Sequence, residues 1–103
     1  GRKMKKRWRQ KGDGRMEENT WITYENSSEA ARKRVEAGQI LVNLTLHRIG
    51  ENTYNLMIEA GIESVSVTLH STSLEAAFVE ADQFAKDYFL ERARLLEEIA
   101  DRI

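Results

Sequence analysis

The sequence predicts an α+β fold, a three-stranded antiparallel meander covered on one face by a long C-terminal helix and preceded by a short helix. Two observations carry it. Val42, Leu44 and Leu46, then Tyr54, Leu56 and Ile58, then Val65, Val67 and Leu69 each alternate with polar or exposed-type residues, the period of half-buried strands. Leu74, Ala77, Phe78, Ala81, Phe84, Ala85 and Tyr88 then recur at helical spacing, and no Gly or Pro interrupts the run to Ile103.

Residues 1–15 come first and stand apart. They hold Arg2, Lys3, Lys5, Lys6, Arg7, Arg9, Lys11 and Arg15 against Asp13 alone, a balance of +7, while residues 16–103 carry a balance of −8. Without apolar periodicity, 1–15 read as a disordered basic arm and 16–103 as a single α+β domain. Such a tract attracts phosphates, and Trp8 offers an indole for stacking. An electrostatic tail is the competing reading, and a start at Met16 would remove the arm altogether.

Thr20 to Glu25 reads as a fourth strand or an extended segment along the sheet edge, with Trp21 and Tyr24 as packing groups. Asn26 with Glu29 three residues on, and Gly38 as a left-handed stop, predict a short helix from Ser27 to about Ala37. Its Arg32-Lys33-Arg34 triplet is the one basic cluster of the body. A solvated helix face competes with a phosphate-contacting patch that extends the arm.

The turns set the register of the strands. Ala60-Gly61-Ile62-Glu63 places Gly where a two-residue II′ hairpin needs positive φ, so Glu59 opposes Ser64 and Ile58 opposes Val65. Gly50-Glu51-Asn52 turns the preceding pair, with Leu44 opposite Ile58 and Leu46 opposite Leu56. One face is then Leu44/Ile58/Val65, Leu46/Leu56/Val67 and Arg48/Tyr54/Leu69. The other is Asn43/Glu59/Ser64, Thr45/Met57/Ser66 and His47/Asn55/Thr68.

Thr72 and Glu75 fit a capping box at the start of the C-terminal helix. At 1.5 Å per residue that helix reaches roughly 45 Å, about twice the roughly 23 Å of a seven-residue strand. The last turns therefore overhang the sheet. Phe89, Leu96 and Ile103 repeat every seven residues with Ala93 and Ala100 between them, and a second copy of the chain is the expected cover.

Function classes narrow by elimination. The 103 residues bound one small domain, there is no Cys for disulfides or thiolate sites, and no apolar run suits a membrane span or a leader, so a cytoplasmic protein is expected. His47 and His70 lie two strands and one two-residue step apart, about 12 Å, too far to share a metal ion. No nucleophile elbow or Gly-rich phosphate loop is present. Neither enzymatic activity nor a cofactor is expected.

The polar face bearing Asn43, Thr45, His47, Asn55 and Thr68 is rich in hydrogen-bonding groups yet low in charge, unlike an ordinary solvated face. It suits contact with a nucleic-acid groove or a partner protein. The order of helix, three strands and helix is similar to the double-stranded-RNA-binding domain, although Ser71-Thr72-Ser73-Leu74-Glu75 lacks the basic cluster with which that family begins its last helix. Three strands and a helix also resemble the sheet-reading DNA-binding domains of phage-type integrases. Ser73-Leu74-Glu75-Ala76-Ala77 with Ala81 and Tyr88 resembles the strand-to-helix junction of HicB-type antitoxins, here without the Pro and Gly-Cys elements usual before it. The reading that follows is a non-enzymatic, nucleic-acid-associated domain, dimeric through its C-terminal helix, with the arm and Arg32, Lys33 and Arg34 on phosphates. The alternative is a protein–protein interaction module using the polar face or an edge strand.

Overall fold

The computed structural model describes residues 19–103, so the basic arm of residues 1–15 lies outside the described residues. Five strands follow one another in a single antiparallel sheet: β1 (Ile22–Thr23), β2 (Glu29–Ala37), β3 (Ile40–Gly50), β4 (Thr53–Ala60) and β5 (Glu63–Thr68), in the spatial order 1-2-3-4-5. One helix, α1 (Leu74–Arg102), closes the chain. The expected α+β class and antiparallel sheet are present, with two strands more than the central three. No helix among the described residues is long and apolar enough to cross a membrane.

The predicted register of the central strands holds residue for residue. Leu44 pairs with Ile58, Leu46 with Leu56 and Arg48 with Tyr54, while Ile58 pairs with Val65 and Glu59 with Ser64. Leu69 continues the last row by donating its N–H to the Tyr54 carbonyl at 2.9 Å. Gly61 takes φ +64° between paired Ala60 and Glu63, as the turn requires.

The short helix predicted over Ser27 to Ala37 is instead the strand β2. Ala31, Lys33 and Val35 pair with Leu46, Leu44 and Val42, and Arg32 and Arg34 with Thr45 and Asn43. Good helix formers are overridden because pairing β3 and lining the sheet rewards an extended chain more than local propensity does. A bulge between Glu29 and Ala31 leaves both Ala30 and Ala31 wholly buried, which breaks the alternation a strand normally shows. Asn26, predicted to cap that helix, sits at φ 58° in the turn before the strand, and Gly38 is left-handed as expected (φ 61°) but joins β2 to β3 rather than stopping a helix.

The cap of α1 is Ser73 rather than Thr72. Its Oγ accepts from the Ala76 N–H at 3.2 Å, and Glu75 sits in the first turn, where the helix dipole favours an acid. Ala77, Ala81 and Ala85 are the buried residues of the helix, facing Leu44, Leu46, Leu56 and Ile58 in one core. Small residues along its midline let the helix lie close to the sheet, with Leu74, Phe78, Phe84 and Tyr88 packed along either side.

Candidate functional site

Strand alternation divides the basic triplet. Lys33 turns to the helix side, where its Nζ pairs with Asp82 at 2.9 Å and lies 5.7 Å from the centre of the Trp21 ring. Trp21 donates its indole N–H to the same Asp82 oxygen at 3.1 Å and stacks on Phe78 with ring centroids 5.1 Å apart. This cluster ties the segment before β1 to α1 and leaves Lys33 engaged within the fold.

Arg32 and Arg34 turn the other way, onto the face of the sheet opposite α1. Arg32 forms an ion pair with Glu29, its Nη2 donating to one carboxylate oxygen at 3.0 Å while its Nε, 3.0 Å from the other oxygen, is buried without a hydrogen bond. Among the described residues no hydrogen bond or ion pair engages the Arg34 side chain, and its Nε is buried without a partner. A half-buried cation in that condition is held in place by packing while its charge remains available, because an unpaired guanidinium keeps its affinity for an anion.

The sheet register brings these arginines beside the predicted polar set. Ile22, Arg32, Thr45, Met57 and Ser66 form one row, Arg34, Asn43, Glu59 and Ser64 the next, and Glu29, His47, Asn55 and Thr68 the third. Thr68 donates its hydroxyl to the Asn55 side-chain oxygen at 3.4 Å. Asn43, His47 and Asn55 are half-buried and Thr68 exposed, whereas Thr45 is buried and withdrawn from any ligand. Glu29, Glu36 and Glu59 share the face, so it is mixed in charge rather than basic. Among the described residues no three His, Asp or Glu side chains come together as a metal site.

No family model matches the chain. No curated protein and no solved structure matches it either. Function is therefore read from the surfaces alone.

The second surface is the end of α1. Arg92 pairs with Glu63 at the β4–β5 turn, and from Ala93 onward every residue is exposed. Of the predicted contact set, Phe89 is half-buried against the protein's own core and meets Tyr88 edge-on, while Ala93, Leu96, Ala100 and Ile103 are free of it. Leu95 and Ile99 belong to the same exposed surface and were missed by a strict seven-residue count. At 100° per residue, Leu95, Leu96, Ile99 and Ile103 fall in the sector that buries Ala77, Ala81 and Ala85, and Ala93 and Ala100 fall to its flank.

A third arrangement joins sheet to helix. The Glu80 carboxylate accepts from the His70 N–H at 3.0 Å and from the Ser71 N–H and hydroxyl at 2.8 and 2.7 Å. Burial pushes this carboxyl up, but the hydrogen bonds from His70 and Ser71 and the nearby His70 charge outweigh it and hold the group below the usual glutamate range.

Proposed function

We propose that the protein is a non-enzymatic binding domain that associates with nucleic acid, contacting phosphates through its basic arm and presenting the sheet face opposite α1 to the nucleic acid, and that it works as a dimer joined through the end of α1. The observation that carries this reading is the strand β2. By replacing the expected helix it moves Arg32 and Arg34 onto the face that already bears Asn43, His47, Asn55 and Thr68. The Arg34 side chain has no hydrogen-bond or ion-pair partner among the described residues. The acidic residues of the body limit non-specific wrapping, so affinity rests on the arm and positioning on the face.

Fluorescence polarisation of the full chain and of residues 16–103, against duplex DNA, duplex RNA and single strands at several salt concentrations, tests it. The full chain should bind with a log–log salt slope up to about −6, as roughly seven phosphate contacts predict, and residues 16–103 should lose most of the affinity. Arg34→Ala should weaken the full chain several-fold. Binding by neither protein would reject the reading.

A second reading has its own observation. β5 is the outer strand of the sheet, with one edge unpaired among the described residues, and an added strand from a protein partner would complete it. Absence of nucleic-acid binding would favour this interaction module.

A further inference from the structure

Most of the exposed large hydrophobics crowd one end of the molecule. The β2–β3 and β4–β5 turns lie side by side there, because Val42 pairs with both Val35 and Ala60. Ile40 is 64% exposed and Ile62 fully so at these two turns. The overhang of α1 leaves the sheet past them at Arg92 and Glu63, carrying Leu95, Leu96 (57% exposed), Ile99 (54%) and a fully exposed Ile103.

The direction of that apolar stripe restricts what covers it. It continues the face of α1 that packs on the sheet, so it looks into the space directly beyond the two turns rather than sideways into solvent. A helix seated about 8–10 Å beneath the overhang would lie in the layer of the sheet itself, end-on to Ile40 and Ile62. Leu96, Ile99 and Ile103 have the three-four spacing that receives a helix of like spacing, and among the described residues α1 is the one helix that has it. Its charges suit self-association too: at 100° per residue Glu91 and Arg102 lie on one flank of the stripe, where antiparallel copies bring them together, and that seating opposes the two helix dipoles.

We infer that the occupant is the α1 overhang of a second copy, running antiparallel about a two-fold axis between positions 97 and 98. This rests on the dimeric part of the reading above and adds its geometry. Leu96 of each chain then meets Ile99 of the partner subunit, Arg102 comes beside Glu91 of the partner subunit on the flank of the contact, and each Ile103 reaches the turn residues Ile40 and Ile62 of the other chain. Each helix end thus caps the open end of the other sheet.

The geometry is tested with the full chain, which has no native Cys to interfere. Within one chain residue 103 lies eleven residues beyond Arg92, roughly 16 Å along the helix, and a disulfide to position 62 is out of reach because its Cα atoms must come within about 7 Å. Under mild oxidation Ile62→Cys/Ile103→Cys should therefore form a covalent dimer while either single variant does not, and sedimentation of the unmodified chain should give twice the chain mass. A dimer in sedimentation with cross-linking by Ile103→Cys alone would establish parallel helices and overturn this arrangement while leaving dimerisation intact. A monomer at about 100 μM would overturn both. Ile99→Glu should give a monomer with unchanged helical circular dichroism, since Ile99 is 54% exposed and stands outside the chain's own core; a dimer persisting in that variant would also overturn the arrangement.

Discussion

The Arg92 guanidinium meets the Glu63 carboxylate where α1 crosses the β4–β5 turn. This pair marks the point at which the helix has used up its own sheet. Both side chains are about two-fifths exposed, 42% and 43%, so the pair positions the helix without contributing much stability. Arg92→Gln and Glu63→Gln should each cost less than about 1 kcal/mol, with a small coupling energy in a double-mutant cycle followed by urea denaturation.

Asp82 is expected to matter more, because one carboxylate serves both the Trp21 indole and the Lys33 ammonium. Asp82→Ala leaves Lys33, with its side chain only 16% exposed, without its counter-charge. A loss of about 1–2 kcal/mol is predicted, discounted for the partial exposure of the carboxylate, and thermal denaturation would measure it. A loss below about 0.3 kcal/mol would show that aromatic stacking on Phe78 alone holds the segment before β1.

The alanine midline of α1 predicts an asymmetry along one helix. Ala81→Leu pushes a larger side chain into a wholly buried site and should destabilise by about 1–3 kcal/mol. Ala100→Leu, in the overhang, should change unfolding of the single chain by less than about 0.5 kcal/mol.

Glu80 makes folding stability depend on acid. Burial pushes its carboxyl up, but hydrogen bonds from His70 and Ser71 outweigh this and hold it below the ordinary glutamate value of 4.5. A folded-state pKa lower than that of the unfolded chain means the contribution is complete above pH 4.5 and declines as pH falls through the lowered value. Glu80→Gln should be less stable than the parent chain at pH 7 and converge with it toward pH 3, as followed by denaturant midpoints across pH. Parallel curves would show that the carboxylate is not the group being titrated.

Gly38 and Gly61 both hold positive φ in two-residue turns with open space where a Cβ would go. Gly38→Ala should therefore cost about 1–2 kcal/mol from backbone strain alone, and Gly38→Asn less, when the two are compared by thermal unfolding.

The central sheet was legible in the sequence because Leu44, Leu56 and Val65 obey strict alternation and Gly61 admits one turn geometry. β2 was not, because Ala30 and Ala31 sit at a bulge and the Ala-Ala-Arg-Lys-Arg run has strong helical propensity. A signal was nevertheless present. Ala37-Gly38-Gln39-Ile40 has the same form as Ala60-Gly61-Ile62-Glu63, Ala and Gly opening a two-residue turn. The polar face was read correctly as to its residues, but its arginines became visible only with the strand, since on a helix Arg32 and Arg34 point about 200° apart while on a strand they share a face. The overhang was legible in length but not in orientation: stepping four residues on from Phe89 and Leu96 selects Ala93 and Ala100, which lie roughly 100–120° from the centre of the buried sector, whereas Leu95 and Ile99 lie within about 40° of it.

The strictly sequential order of the sheet also bears on how the chain assembles. Each long strand pairs with the next in sequence, and the three turns that join them are each two residues long, so sheet formation closes only short loops at little entropic cost. The one distant event is the return of α1 across the finished sheet. Folding should accordingly be fast for a five-stranded protein, in the millisecond range or below, and limited by helix docking, so that Ala81→Leu slows refolding while Gly50→Ala chiefly alters the rate of an earlier, local step.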